Sequence, residues 1–233
     1  MRIGLLGYGK MGKTIEALSK DRDHSITLKI DQPRDHIDFN EVDVAIDFSL
    51  PSAAVSIIKA AIKAGVPIIS GTTGWLEQHE DVVDYCNKHN GAFLYASNFS
   101  LGVNIFFELN RNLAKLMGSQ DSYTISLEEI HHTQKLDAPS GTAISLAEQI
   151  IGQTAYENWT LEPPKGNEIP IVAKRIEKVP GTHVVTYESE IDTIKISHEA
   201  HNRKGFALGA IVAAEWIRDK KGVFSMKDVL NIG

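Results

Sequence analysis

The sequence predicts two kinds of half-chain: an α/β unit on a parallel sheet, then an α+β unit on a mixed or antiparallel sheet. Three observations carry this. In the first half, short apolar runs of strand length alternate with stretches of helical period, the pattern of a parallel sheet covered on both faces. From Tyr123 onward the strand-like runs follow one another instead. At 233 residues the chain is long enough for two modest cores. The boundary is placed near Gly102, giving units 1–102, completed by a C-terminal helix over 206–233, and 103–205.

Ile3 to Leu6 is a short strand of buried type, and Thr14 to Lys20 has helical period. Between them lies Gly7-Tyr8-Gly9-Lys10-Met11-Gly12. This is G-x-G-x-x-G in its meaningful context, where the glycines permit a tight turn, close approach of backbone to a pyrophosphate and helix packing on the sheet. A second strand, Ile26 to Ile30, ends at Asp31, at the separation expected of an acid that hydrogen-bonds an adenosine ribose. Together these predict a Rossmann-type nicotinamide-dinucleotide site. Asp31 repels a 2′-phosphate and leans toward NAD, while Lys29 and Arg34 soften that preference and leave NADP open.

The alternation continues with a strand over Val42 to Phe48, a helix over Ala53 to Ala64, a strand over Val66 to Ser70, a helix over Leu76 to Lys88 and a strand over Ala92 to Ala96. Ligands bind such sheets at the carboxyl ends of the strands. Those ends carry Asp47-Phe48-Ser49, Gly71-Thr72-Thr73-Gly74 and Ser97-Asn98-Phe99-Ser100. Asn104 to Met117 reads as a helix with Ile105, Leu109, Leu113 and Leu116 as its apolar stripe. Strands are then expected over Thr124 to Ile130, Ile169 to Lys178, His183 to Ser189 and Ile191 to Ser197. A long loop covers Trp159 to Asn167, and an apolar helix over Phe206 to Ile217 is expected to return to the first unit.

The chemistry concentrates in Glu128 to Ala143. Ala143, Leu146, Ala147, Ile150 and Ile151 repeat with helical spacing, so a helix opens near Gly141. Its N-terminal N–H groups and partial positive charge make Ser140, Gly141 and Thr142 a seat for a carboxylate or phosphate, with Lys135 adding a full charge. Adjacent histidines on a strand face opposite sides, so of His131 and His132 one is a candidate acid and the other a candidate binder. The plainer alternative makes Ser140 an N-cap and the histidines surface residues. His198 and His201 lack the partners of a recognisable metal set; they read as structural or interface residues, and no metal is expected.

A net charge of −6 argues against a general nucleic-acid binder and leaves a small anionic ligand open. No apolar run is long enough to span a bilayer, and Met1 leads straight into a strand without the apolar core of a signal peptide. Cys86 is the only cysteine, so no internal disulfide can form; it reads as a core filler in a reducing, cytoplasmic setting.

Taken in order, the Gly7 to Gly12 loop, Asp47-Phe48-Ser49, Gly71 to Gly74, Ala96 to Ser100, Glu129-Ile130-His131-His132, Lys135, Asp137-Ala138-Pro139-Ser140-Gly141-Thr142-Ala143, and Arg203 with Phe206 to Ala210 run almost end to end. This set resembles the bacterial dihydrodipicolinate reductases of lysine and diaminopimelate biosynthesis. The resemblance implies a Rossmann domain completed by the C-terminal helix, an α+β substrate and assembly domain, and a homotetramer. It implies hydride transfer from NADH or NADPH to the cyclic imine formed from 4-hydroxy-tetrahydrodipicolinate, giving tetrahydrodipicolinate. His131 would be the general acid and Lys135 its catalytic partner, with Lys135, His132, Ser140, Gly141 and Thr142 on a substrate carboxylate. The cofactor would lie on Gly7, Tyr8, Gly9, Lys10, Met11, Gly12, Asp31 and Phe48, with Gly71, Thr72 and Thr73 at the nicotinamide and Ala96, Ser97, Asn98 and Phe99 nearby. Domain closure is expected about Gly102 and Gly205. Two alternatives compete: another two-domain NAD(P)-dependent dehydrogenase acting on an amino-acid-like substrate, and a non-catalytic dinucleotide sensor in which His131 and Lys135 do no chemistry.

Overall fold

Arg2–Leu6 (β1) is buried beyond its first residue, as a central strand of a parallel sheet must be when helices cover both faces. The protein is seen as a computed structural model, which describes residues 1–32, 36–202 and 204–232. Next come Lys10–Lys20 (α1), Ser25–Ile30 (β2), Val44–Asp47 (β3), Pro51–Lys63 (α2), Ile68–Ser70 (β4), His79–Lys88 (α3) and Ala92–Tyr95 (β5). Alternation along each strand sends its side chains to two cores. Ile3, Leu5, Val44, Ile46 and Leu94 pack with Ile15 of α1, whereas Leu6, Ala45, Ile68 and Phe93 pack with Ile57, Ile58 and Ile62 of α2 and Val82 and Cys86 of α3.

Leu101–Met117 (α4) leads into Thr124–His131 (β6), Gly141–Ile151 (α5), Asn158–Thr160 (β7), Glu168–Arg175 (β8), Gly181–Glu188 (β9) and Thr193–Ala200 (β10). These strands form a sheet in the order β10-β9-β6-β8-β7, antiparallel from β10 to β6 and parallel from β6 to β7. The inward faces of β6 and β9 carry Ile125, Leu127, Val185 and Tyr187 against Ala143, Leu146, Ala147 and Ile150 of α5. On α4 the expected stripe is not the buried one: Ile105, Leu109 and Leu116 are exposed, while Phe106 and Ala114 are buried. The polar residue between them hid that face. Asn110 is fully buried, its Nδ2 donating to the Leu146 carbonyl at 3.1 Å and to Gln149 Oε1 at 3.0 Å.

Lys204–Ile217 (α6), Gly222–Phe224 (β11) and Met226–Leu230 (α7) complete the chain. The continuous helix expected over 206–233 is therefore broken. Asp219-Lys220-Lys221 offers no apolar face, Gly222 takes φ +123°, and Val223 and Phe224 then add a parallel edge strand beside β5. The first sheet is all parallel, in the order β11-β5-β4-β3-β1-β2. β10 starts later than expected and runs on through His198, because its register with β9 continues to the Ala200–Gly181 pair. The expected loop over Trp159 to Asn167 opens inside β7. Backbone contacts separate two units, Met1–Asn104 with Lys204–Gly233, and Ile105–Arg203. Among the described residues, no helix is long and apolar enough to cross a membrane.

Candidate active site

In the first unit, the loops after β1, β2 and β3 converge on a cavity of about 190 Å³. Gly7 to Gly9, Ile30 to Gln32 and Phe48 to Leu50 form its walls, with Ala53 and Ile57 of α2 as apolar floor. Phe48 and Ser49 also border a second hollow lined by Pro51, Gly71, Thr72 and Thr73. Gly7 sits at φ +97°, and a Cβ there would lie 2.1 Å from the Phe48 carbonyl oxygen, so only glycine lets β1 turn beneath the β3 loop. The space above Gly9, the N-cap of α1, is open where a pyrophosphate would approach. The glycine turn and the open N-terminus of α1 thus fit the pyrophosphate of a dinucleotide.

Lys10, Met11 and Gly12 form the first turn of α1 and do not line the cavity: Lys10 is exposed, Met11 packs on the core and Gly12 is buried. Lys29 is occupied by Glu16 at 2.7 Å, with its ammonium 4.9 Å from the Tyr8 ring centre, and Tyr8 donates to the same carboxylate. It is thus not a spare cation beside Asp31; Arg34 and Arg203 lie outside the described residues. Ala96, Ser97, Asn98 and Phe99 line neither hollow. Phe99 is buried with its ring edge-on to Phe48 at 5.8 Å, and Asn98 Oδ1 accepts from the Ser100 N–H at 2.9 Å.

Sequence reasoning passed over Asp47 as a single residue, although an acid closing the apolar strand Val44-Ala45-Ile46 was visible. It is fully buried and accepts from the Ser49 N–H at 3.0 Å and Ser70 Oγ at 2.7 Å, joining the ends of β3 and β4. Burial pushes its carboxyl above the ordinary value, and these hydrogen bonds only partly oppose that.

In the second unit, strand register assembles the chemistry. β6 pairs Glu129 with His183 of β9 and His131 with Arg175 of β8. Glu129 is fully buried, and its Oε2 lies 3.2 Å from His131 Nδ1. Both its oxygens lie 3.1 Å from the Ser140 N–H, and Arg175 Nη2 is 3.1 Å from Oε1. Burial alone would raise this carboxyl; His131 and Ser140 outweigh it and bring it down to about 2. His183, 5.0 Å from His131 ring to ring and 3.2 Å from Ser140 Oγ, is pushed down to about 4 by burial and then by His131, so it stays neutral.

The remaining expected site residues sit around this cluster. β6 ends at His131, so His132 follows the strand rather than facing away across it, and it is half-buried. Ser140 is the N-cap of α5, its Oγ accepting from the Ala143 N–H at 3.2 Å and turned inward. Gly141 and Thr142 keep the outward first turn. Lys135 is paired with Asp137 at 2.8 Å. Arg175 ties the loop down by donating to the carbonyls of Asp137 at 2.5 Å and Lys135 at 3.4 Å. Arg175 and His183 went unnoticed in the sequence because nothing local marks them. Glu129 could have been found as the acid on the inward period Ile125, Leu127, Glu129, His131. Glu129, His131 and His183 bring ligand-type atoms within 4.8 Å of one another, but a guanidinium and an N–H already satisfy the carboxylate, and the cluster reads as a proton site. His198 pairs across the β10–β9 register with His183, its ring tilted on Phe106 at 5.9 Å, and burial lowers its pKa.

Two family models cover the chain: dihydrodipicolinate reductase, N-terminus, over residues 1–99, and dihydrodipicolinate reductase, C-terminus, over residues 102–230. The chain belongs to the dihydrodipicolinate reductase family. The 4-hydroxy-tetrahydrodipicolinate reductase of Christiangramia forsetii is 56% identical to this reductase over 234 residues, spanning 99% of this chain and 98% of the relative. That of Rickettsia bellii is 36% identical over 238 residues, spanning 98% and 94%. The solved dipicolinate-bound dihydrodipicolinate reductase from Paenisporosarcina sp. TG-14 shares the fold of this reductase, with a TM-score of 0.76 at 20% identity over 97% of each chain.

Proposed function

We propose that this reductase carries out its family's reaction, hydride transfer from NADH or NADPH to the cyclic imine dicarboxylate formed from 4-hydroxy-tetrahydrodipicolinate, with His131 as the acid. The protein is an NAD(P)H-dependent oxidoreductase acting on a small dicarboxylate. The first unit holds the dinucleotide and the second binds substrate and builds the oligomer. The single observation that carries the residue roles is the convergence on Glu129 of the β6 end, the loop after it and the first turn of α5.

When bound, the dinucleotide supplies the hydride from its nicotinamide: Gly7 and Gly9 would hold the pyrophosphate, Asp31 the adenosine ribose, and Gly71 and Thr73 the nicotinamide, with Phe48 beside them. Hydride addition to a conjugated imine leaves an electron-rich, enamine-like centre that must be protonated, and His131 delivers that proton. A substrate carboxylate takes the first-turn N–H groups of α5 at Gly141 and Thr142 and draws Lys135 away from Asp137, with His132 beside it. The exchange is easy because Asp137 is 61% exposed and a surface pair of this kind is weak. Ser140 contributes by capping the helix. The exposed Val172 and Ile194 on the second sheet and the exposed face of α4 support a homotetramer. The lone buried cysteine and the acidic balance support a cytoplasmic enzyme without nucleic-acid or membrane partners.

The test follows NADH and NADPH oxidation with freshly condensed pyruvate and aspartate semialdehyde. Wild type should oxidise one or both; His131→Ala should lose roughly 10²–10⁴-fold in kcat, and Lys135→Ala should raise KM as well. Dinucleotide binding without oxidation would sink the reading in favour of a sensor or another dehydrogenase.

A further inference from the structure

An acid must present its proton from a defined atom, and an imidazole has two candidates. In this protein they are not equivalent. Nδ1 of His131 is sealed from solvent and lies 3.2 Å from Glu129 Oε2, at ion-pair distance though off the line of a hydrogen bond, while the side chain keeps 10% of its exposure, so its accessible edge is the one that carries Nε2. Across from that edge lies Gly181, at the start of β9, where a Cβ would stand 3.1 Å from Nε2. Glu129 itself is immobilised: Arg175, the Ser140 N–H and complete burial hold its oxygens in place.

We infer that Glu129 is a positioning residue that keeps a proton on Nδ1 of His131 and so makes Nε2, in the gap left by Gly181, the atom that donates to the substrate. This rests on the reading of His131 as the acid and extends it. In the step, the Nε2–H bond of the imidazolium breaks as a C–H bond forms. The N–H electron pair stays on Nε2, the proton on Nδ1 remains against Glu129, and solvent water later reprotonates Nε2. The neighbouring groups fit the assignment. His183 on β9 is neutral and cannot serve as a rival acid, and Arg175 on β8 balances the charge of Glu129 from the side away from Nδ1, at Oε1. The arrangement follows the general rule that the partner of one ring nitrogen sets the role of the other.

The test uses the full chain with Glu129→Gln, Glu129→Ala, His131→Ala and the double variant Glu129→Gln with His131→Ala. Glutamine keeps an acceptor for Nδ1–H without the charge, so kcat should fall roughly tenfold there and roughly a hundredfold in Glu129→Ala, within the range a positioned acid is worth, while KM changes little. Nitrogen-15 spectra of the His131 ring should show the Nδ1–H tautomer in wild type, and its partial loss in Glu129→Ala. In the His131→Ala background, Glu129→Gln should lower kcat no further, because its effect passes through the ring. Gly181→Ala, which crowds Nε2, should lower kcat and leave the tautomer unchanged. If Glu129→Ala does not fold, the glutamine pair carries the test. An additive loss in the double variant, or an unchanged tautomer with an unchanged kcat, overturns the proposal while His131 stands as acid. Full activity in His131→Ala removes the acid assignment and this inference with it.

Discussion

Among the described residues each unit buries one carboxylate completely, and the two have opposite fates. Asp47 closes β3 among neutral donors, the Ser49 N–H and Ser70 Oγ, and burial wins: its carboxyl rises above the ordinary range. Glu129 in β6 is likewise sealed from solvent though less deeply packed, and His131 and the Ser140 N–H hold it ionised down to about 2. Exclusion from solvent alone does not set the charge of a buried acid; its partners can outweigh the cost of burial. Neutral donors make Asp47 a stitch between two loops that border the second hollow. Charged and polarisable partners make Glu129 a fixed negative charge beside a titratable ring.

The largest expected effect comes from removing the partnered acid. Glu129→Ala leaves Arg175 facing a cavity and the Ser140 N–H without its acceptor, and should destabilise the chain by about 3 kcal/mol, read from urea unfolding at neutral pH. A loss below about 1 kcal/mol, the range of an ordinary single hydrogen bond, would erase the contrast with Asp47.

The second effect sharpens the comparison through pH. The folded-state value of Glu129, about 2, lies below its ordinary 4.5, so its contribution is complete above 4.5 and drains away as pH falls toward 2. Over that interval the advantage of wild type over Glu129→Gln should shrink, from a ceiling of about 3 kcal/mol set by the shift itself. A gap that stays constant across the interval would mean that Glu129 contributes by shape alone.

These contrasts also mark what the sequence could disclose. The parallel sheet, the glycine turn and the α5 start were legible because each is written in local period or in residues with special backbone freedom. Ile105, Leu109 and Leu116 misled because α4 has two apolar faces and the buried one is interrupted by Asn110, whose partners Leu146 and Gln149 are far away in sequence. Ser140 was legible both as cap and as site; its inward Oγ leaves the outward first turn to Gly141 and Thr142. Arg175 and His183 were silent because only strand register, a long-range property, brings them opposite His131 and Glu129. The same holds for the helix expected over 206–233: β11 exists because β5 has an open edge, which no local pattern announces.

The smallest effect is expected at Asp47, and its sign is the informative part. An asparagine oxygen can still accept from the Ser49 N–H, and the amide can donate to Ser70 Oγ where the carboxylate accepted from it, so Asp47→Asn should change stability by no more than about 1 kcal/mol. Because the folded-state value of Asp47 is raised above its ordinary 3.8, its favourable contribution is complete below 3.8 and is lost as pH rises through the raised value. Asp47→Asn should therefore gain on wild type as pH rises toward neutrality, the reverse of Glu129→Gln. Gly71 and Thr72, one and two residues beyond Ser70, line the second hollow, so NADH affinity should move at most a few-fold. Unfolding curves of both variants across the acid range check the opposite slopes. If Asp47→Asn instead loses ground as pH rises, a cation faces Asp47 in solution, and the two buried acids differ in degree rather than in kind.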